Sequence, residues 1–598
     1  MYSTFQLRNT LKERAREFIF DAVANRNPRR LGLITTYPGS GKSYSIWDVL
    51  MESIIPSHHR FAYLAPRHNI ILEMCDVDHR CSIPHLISRN HIKDGVPVCK
   101  YLQDNPKAAD YVKRGEIIAS IFCNQCKHAS RCEHINNMRR VQNGASWTGV
   151  HAHMSAFTDI LFSKIDRERY DIIVIDENPF QTMLQSSWLT MGRMRHLLTM
   201  FDGWGAPTRF VSACGQVLIG GKPPDIKAEG FSSREFLREY TERAKTTVEL
   251  GGRLPPYNMV SIIGRIIEDV GNGVPIERMV TMDKERVRLL RFDSTMIDRL
   301  GVPILALDAT GSKDTWQALA PSYNVEIVLN EDWRHYNVIH LKGSGNFYLK
   351  TWKSCDEHHP NFRLLRLVSQ LSSKNVIVCS SKKIREIISS NLDDCKNIRH
   401  AIFMALTSDN TSWPEASTLV IAGRPTLPPD ERAAMVLATG LSNDVIDYLT
   451  IEAEVQQAIG RLRQSIPETT EFHGKGVFDT RKVKRDGLYI IVMPDLGKDD
   501  PFKGFGSYDS DALVHVKRDD YLECLANGYL DPVAYYGGKM LGFLVVPRTM
   551  TEIKREFKNK MWIERSLARL LTTNQVKKVG QRWVVNFETY SGENHQQK

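Results

Sequence analysis

Residues 31–43 read Leu-Gly-Leu-Ile-Thr-Thr-Tyr-Pro-Gly-Ser-Gly-Lys-Ser, and residues 43–55, SYSIWDVLMESII, follow in a helical pattern. An apolar run that stops at a glycine-rich turn and restarts as a helix is a strand–loop–helix unit. The turn from Thr36 to Ser43 has the make-up of a phosphate-binding loop. Gly39 and Gly41 let the backbone curl until its N–H groups face an anion, and the helix N-terminus adds positive potential. Lys42 has the reach for the β- and γ-phosphates of a nucleotide, and Ser43 can ligate Mg²⁺. Thr36, Pro38, Gly39, Ser40, Gly41, Lys42 and Ser43 are therefore the candidate nucleotide-binding residues. Thr36 stands where the general pattern has Gly.

Outward from this loop, further short apolar runs occur at 61–66 (FAYLAP), 171–177 (DIIVIDE) and 303–311 (PILALDATG). The pattern restarts at 375–381 (NVIVCSS), 417–423 (STLVIAG) and 488–495 (LYIIVMPD). Continuous apolar runs alternating with helical segments predict buried parallel strands. The expected fold is α/β, two tandem phosphate-loop domains, the first over 1–325 and the second over 326–500. Two stretches interrupt the first, a cysteine-rich one near 75–150 and a polar, mainly helical one near 180–300. Beyond about 500 the alternation stops, which leaves 501–598 as an accessory domain. There a basic helix over 551–571 precedes two short strands around Gly580. That outline fits either a winged helix or a helical cap.

DIIVIDEN places Asp176 at a strand end with Glu177 next to it. Asp176 would hold Mg²⁺, and Glu177 would orient and deprotonate an attacking water.

With these motifs in order, roughly residues 30–500 resemble superfamily 2 helicases. The resemblance implies two RecA-like domains, ATP and Mg²⁺ as cofactors, and single-stranded and forked DNA as partner. YLAPRHN (63–69) is similar to the motif that touches the nucleic-acid backbone, which singles out Arg67. Thr310 in Asp308-Ala309-Thr310 falls on the motif that couples hydrolysis to movement. EVQQAIGRLR (454–463) looks like the last motif of the second domain, with Gln457 and Arg461 on the family pattern. An arginine there reaches toward the γ-phosphate. The family places its second arginine three residues after the first, whereas Arg463 is two after.

Cys99, Cys123, Cys126 and Cys132 sit between the YLAP and DEN segments. Their position resembles the iron–sulfur insertion of the DinG/XPD group, as do VHAHM (150–154) and GRPTLPP (423–429). A [4Fe-4S] cluster and zinc both suit such a sulfur set, and the third reading is structural thiols with no metal; His128 or His134 can replace one thiolate for zinc, and Cys81 can stand in for Cys99. A small insertion with little core of its own would gain stability from a metal.

The chain has 598 residues, 42% of them hydrophobic and 25% charged, with a formal net charge of +10. That size allows several cores, and the excess of cations suits a polyanionic partner. No apolar run is long enough to span a membrane, and the first residues hold no apolar signal region, so a cytoplasmic setting is expected. The expected activity is ATP-dependent DNA unwinding, in the 5′-to-3′ direction implied by the family. The alternatives are an RNA-directed or non-unwinding translocase, and a binding protein with a degenerate ATPase. Replication, repair or defence proteins are the expected protein partners.

Overall fold

The computed structural model describes residues 4–25, 27–36, 41–77, 83–87, 92–93, 96–97, 99–118, 121–123, 126–157, 170–203, 215, 233–252, 254, 256–283, 286–309, 311–331, 337–342, 352–355, 358–372, 374–402, 416–423, 429–452, 458, 489–493, 513–544, 546–557, 566–568, 570–571, 575–579 and 581–586. The chain divides into two compact units, Met1–Glu331 with Leu427–Ile451, and Asp332–Thr426 with Glu452–Lys598.

The first unit is built on six strands: β1 (Arg30–Thr36), β2 (Phe61–Ala65), β3 (Trp147–Val150), β4 (Ile172–Asp176), β5 (Ile304–Leu307) and β6 (Asn324–Glu331). They lie in the order β6-β1-β5-β4-β2-β3, and every pairing is parallel. β2 and β4 are buried along their whole length, as expected where helices cover both faces. Helix α1 (Thr4–Ala24) and helix α2 (Lys42–Val49) pack on this sheet, and helix α3 (His68–Val77) follows β2. In α1 the buried residues Leu7, Leu11, Ala15, Phe18, Ile19 and Ala22 recur at helical spacing and form one apolar face.

The expected helical stretch near 180–300 does contain helices, at Met191–Gly203, Ser233–Leu250 and Tyr257–Gly271. It also holds an antiparallel three-stranded sheet of Leu184–Thr190, Arg286–Phe292 and Val280–Asp283, which the polar composition concealed. This insertion does not stand apart from the cysteine-rich one. Leu102, Tyr111, Val112, Ile117 and Phe122 share one core with Leu237, Tyr240, Val260, Ile263 and Leu289. The Tyr240 hydroxyl donates to Glu116 O at 2.8 Å, and Lys107 Nζ to Glu249 O at 3.0 Å. The two insertions therefore supply each other's apolar surface. Helix Pro429–Thr439 belongs to this first unit too; its Ala434 and Met435 join the core beneath the parallel sheet.

The second unit has its own six-stranded parallel sheet: β7 (Asn337–Lys342), β8 (Asn375–Ser380), β9 (Ile398–Ile402), β10 (Ala416–Ile421), β11 (Tyr489–Val492) and β12 (Leu513–Lys517). Their order is β9-β8-β10-β11-β7-β12. After it come helix Pro532–Leu544, strand Arg548–Thr549, helix Met550–Glu556, helical residues at 566–568 and 570–571, and a hairpin of Val576–Val579 and Arg582–Val585. Arg582–Val585 lies between the other two strands. A separate core of Met540, Leu544, Ile553, Leu567, Leu570, Val576 and Val585 holds this part together. Among the described residues no helix is long and apolar enough to cross a membrane.

Candidate active site

In an all-parallel sheet, one edge collects every strand's C-terminal end, and ligands bind just outside that edge. Here β1 ends at Thr36, β2 at Ala65, β4 at Asp176 and β5 at Leu307. Leu307 pairs with both Ile34 and Asp176, so the acidic strand is one strand removed from the loop-bearing one. The residue after β5, Asp308, falls between them.

Ser43 Oγ donates to Asp176 Oδ2 at 2.7 Å. The Tyr63 hydroxyl donates to the same oxygen at 2.7 Å. Lys42 is 8% exposed, and its Nζ donates to Thr36 O at 3.0 Å, folding the ammonium back over the end of β1. Asp176 is buried, and burial pushes its pKa up; the hydrogen bonds from Ser43 and Tyr63 and the charge of Lys42 pull it down. Burial also raises the Tyr63 pKa well above the usual value, with the Asp176 charge adding to it, so the phenol keeps its proton and remains a donor. Trp47 from α2 meets the Tyr63 ring edge-on at 5.9 Å and fixes where that hydroxyl points. Asp308 Oδ2 accepts from Trp316 Nε1 at 3.0 Å. A Cβ at Gly311 would lie 2.9 Å from both of those atoms, so glycine permits the contact.

Two backbone features stand at this edge. Gly41 caps α2 with φ of 86°, a conformation that side chains disfavour. Glu177 has φ of 64° without being glycine. Its N–H donates to Leu307 O at 2.7 Å, which ties the turn after β4 to β5. Backbone held in this region costs about 1–3 kcal/mol and is a marker of functional turns.

His151 is buried behind the turn, and its Nε2–H donates to Asp176 O at 2.8 Å. Burial lowers its pKa to about 4, against the opposing hydrogen bonds to the backbone of Asp176 and Leu64. The folded protein therefore holds a neutral imidazole where the unfolded chain titrates near 6.5. As pH falls through 6.5 toward 4, the unfolded state takes up this proton first and stability drops. The loss attributable to His151 is about 3 kcal/mol. Urea unfolding at pH 7, 5 and 4 reads it: His151→Gln is expected to show a shallower pH slope than the parent. Equal slopes would remove this role.

The described residues thus bring Thr36, Lys42, Ser43 and Asp176 together, with Glu177 adjacent in the chain. Tyr63, His151 and Asp308 join them without having been singled out by the sequence. Arg67 stands two residues past β2, just before α3. Pro38, Gly39, Ser40, Thr310, Gln457, Arg461, Arg463 and Cys81 lie outside the described residues.

A hydroxyl and a carboxylate this close, backed by an ammonium, are hard oxygen donors of the kind Mg²⁺ takes alongside phosphate oxygens. The thiols differ. Cys99, Cys123, Cys126 and Cys132 are each half-buried, and among the described residues no three His, Cys, Asp or Glu side chains gather into a metal-binding group. His128 instead meets Asp104 Oδ2 at 2.7 Å, and His134 Nδ1 meets Ile87 O at 2.8 Å. The shared core supplies this segment with the burial that a metal was expected to replace.

No protein-family model matches the chain, and no curated protein does. Among solved structures it is similar to the DUF1998 helicase MrfA bound to DNA, at TM-score 0.29 and 11% identity over 99% of this chain and 64% of that one. It is also similar to a DEAD box protein from the hyperthermophile Methanococcus jannaschii, at TM-score 0.25 and 10% identity over 87% of this chain and 90% of that one. A third is the Mycobacterium smegmatis helicase Lhr bound to ssDNA and AMP-PNP, at TM-score 0.28 and 10% identity over 96% of this chain and 58% of that one. The chain thus spans 64% of the length of the first and 58% of the third. Scores this low leave the functional reading to the residues themselves.

Proposed function

We propose that the chain is an ATP-driven nucleic-acid motor that moves on single-stranded DNA and opens forked duplexes, in the 5′-to-3′ direction that the DinG/XPD resemblance implies. The observation that supports it is the meeting of Ser43, Asp176 and Lys42 at the C-terminal edge of a parallel sheet, with 2.7 Å between hydroxyl and carboxylate. A nucleoside triphosphate set on the α2 N-terminus would draw Lys42 from Thr36 O to its β- and γ-phosphates. Mg²⁺, held by Ser43 and Asp176, would supply neutralisation of the phosphate charge. Glu177 would accept a proton from the water that attacks the γ-phosphorus while the bond to the bridging oxygen of ADP breaks.

The family pattern assigns Arg461, with Gln457 and Arg463, to the charge developing on the γ-phosphate, Thr310 to coupling, and Arg67 to the nucleic-acid backbone. The helix–strand–helix–helix–hairpin order at the C-terminal end supports the winged-helix reading. Its hairpin exposes Lys577, Lys578 and Arg582, cations suited to duplex phosphates. A sulfur-bound metal at Cys99, Cys123, Cys126 and Cys132 rests on the position of these residues in the sequence.

One preparation tests the proposal. ATP turnover is expected to rise when single-stranded DNA is added, forks with a 5′ tail to open, and DNA affinity to fall steeply with salt. Turnover indifferent to any nucleic acid would overturn the motor reading, and forks opened only in RNA would replace DNA by RNA. The same sample's spectrum reads the metal: a band near roughly 400 nm marks iron–sulfur, and a colourless protein carrying zinc marks the alternative. A metal-free protein with full activity removes both.

A further inference from the structure

Three contacts set how α1 lies on α2. Arg8 sits against Gly41, Lys12 Nζ meets Asp48 Oδ2 at 2.6 Å, and Arg16 Nε meets Ser53 Oγ at 3.1 Å. Both residue numbers rise together, so α1 runs parallel to α2. The first turns of both helices therefore face the same way, toward the edge of the sheet where β1 ends.

At the other end α1 is pinned. Phe18 lies so close under β1 that a Cβ at Gly32 would come within 2.6 Å of its ring. Arg30 stacks on that ring at 5.0 Å and pairs with Asp21. With both ends held, the place of Arg8 follows from the fold rather than from a wandering side chain.

Arg8 itself is exposed and has no hydrogen-bond or ion-pair partner among the described residues. Its guanidinium lies close against Gly41: a Cβ built there would be 2.8 Å from Nε and 3.3 Å from Nη2. Arg14, Arg16 and Lys12 on the same helix all have acidic or hydroxyl partners. A solvated cation has no reason to rest on the one glycine that caps the anion-binding helix, and a planar guanidinium suits the phosphate fork.

We propose that Arg8 is a second cation of the nucleotide site, binding the phosphate chain of the nucleoside di- or triphosphate beside Gly41. Gly41 then has two duties: it adopts the left-handed turn, and it leaves room for the guanidinium. This inference rests on the nucleotide reading of the loop.

The test is equilibrium binding of ATP, ADP and adenosine, with Mg²⁺, to the full chain and to Arg8→Ala and Arg8→Lys. For Arg8→Ala the Kd of ATP and ADP is expected to rise about tenfold, with adenosine unmoved; Arg8→Lys is expected to fall between. Thermal unfolding of each variant reports whether the fold is kept. Unchanged ATP affinity in a folded Arg8→Ala overturns the role of Arg8 alone. A loss shared equally by adenosine overturns it in favour of base stacking. A parent chain that binds no nucleotide overturns both this inference and the loop reading beneath it.

Discussion

Replacing Lys42 by alanine is expected to lower ATP turnover by about 10²–10³-fold or more, while the protein stays folded. The first half follows from charge. Lys42 is a buried ammonium, on the proposed function that of the phosphate loop, and the barrier to phosphoryl transfer falls chiefly through fixed positive groups near the γ-oxygens. Removing one such preorganised group from a water-poor site costs about 3–4 kcal/mol of transition-state stabilisation. The second half follows from what Lys42 does without nucleotide: its ammonium donates to Thr36 O, and a hydrogen bond from a charged group contributes about 1.5–3 kcal/mol. The variant should therefore melt somewhat earlier and lose turnover far out of proportion. Lys42→Arg separates charge from shape, because a planar fork cannot replace a point charge in so tight a turn. Turnover equal to the parent's in Lys42→Ala would end the motor proposal.

How much of this could be read from sequence depends on where each strand lies. In the two parallel sheets the runs recognised as strands, such as FAYLA, IIVID, ILAL and NVIVCS, are all interior, where both faces are covered and the chain must be apolar throughout. The strands that went unrecognised include all four edges. β6 mixes buried Val325 and Leu329 with open Asn324, Ile327 and Asn330, so it holds no continuous apolar run. β9 carries Arg399 and His400, and β12 carries His515 and Lys517, as edge strands do. β3 is a four-residue edge whose Trp147 alone signals a core. Within these two sheets the one interior strand missed, β7, has a buried His340 in its middle, which breaks the apolar run.

The site divides in a similar way. Lys42, Ser43 and Asp176 were legible because the chemistry of phosphate and magnesium restricts residue type at fixed spacing. Tyr63 was not, because a tyrosine in an apolar strand has the same pattern whether its hydroxyl is satisfied by solvent or by a carboxylate 113 positions away. The available signal was a single polar tip in an otherwise apolar run. Asp308 is a strand-end carboxylate of the same kind as Asp176, but the family motif it stands in singles out Thr310. The sharing of one core between two distant insertions has no local signature at all, since it arises from tertiary packing of helices that each look merely amphipathic.

Glu177→Gln is the second large effect expected. The substitution keeps the side-chain length and most of its hydrogen bonding, yet the amide cannot accept a proton from water at neutral pH. General-base catalysis of this kind contributes about 10²–10⁴-fold, so turnover should fall by that factor while ATP binding persists. The backbone makes a sharper experiment available. Glu177 sits at φ of 64°, a region that costs non-glycine residues about 1–2 kcal/mol. Glu177→Gly removes that cost and adds roughly 0.5–1 kcal/mol of unfolded-chain entropy in return. The glycine variant is therefore expected to be at least as stable as the parent and inactive, whereas the glutamine variant keeps the strain and is equally inactive. A side chain retained only for folding would give the opposite ranking: glycine would lose stability, and glutamine would hydrolyse ATP at the parental rate. Paired melting and turnover curves for the two variants decide between a turn held under strain for chemistry and one that is incidental to it.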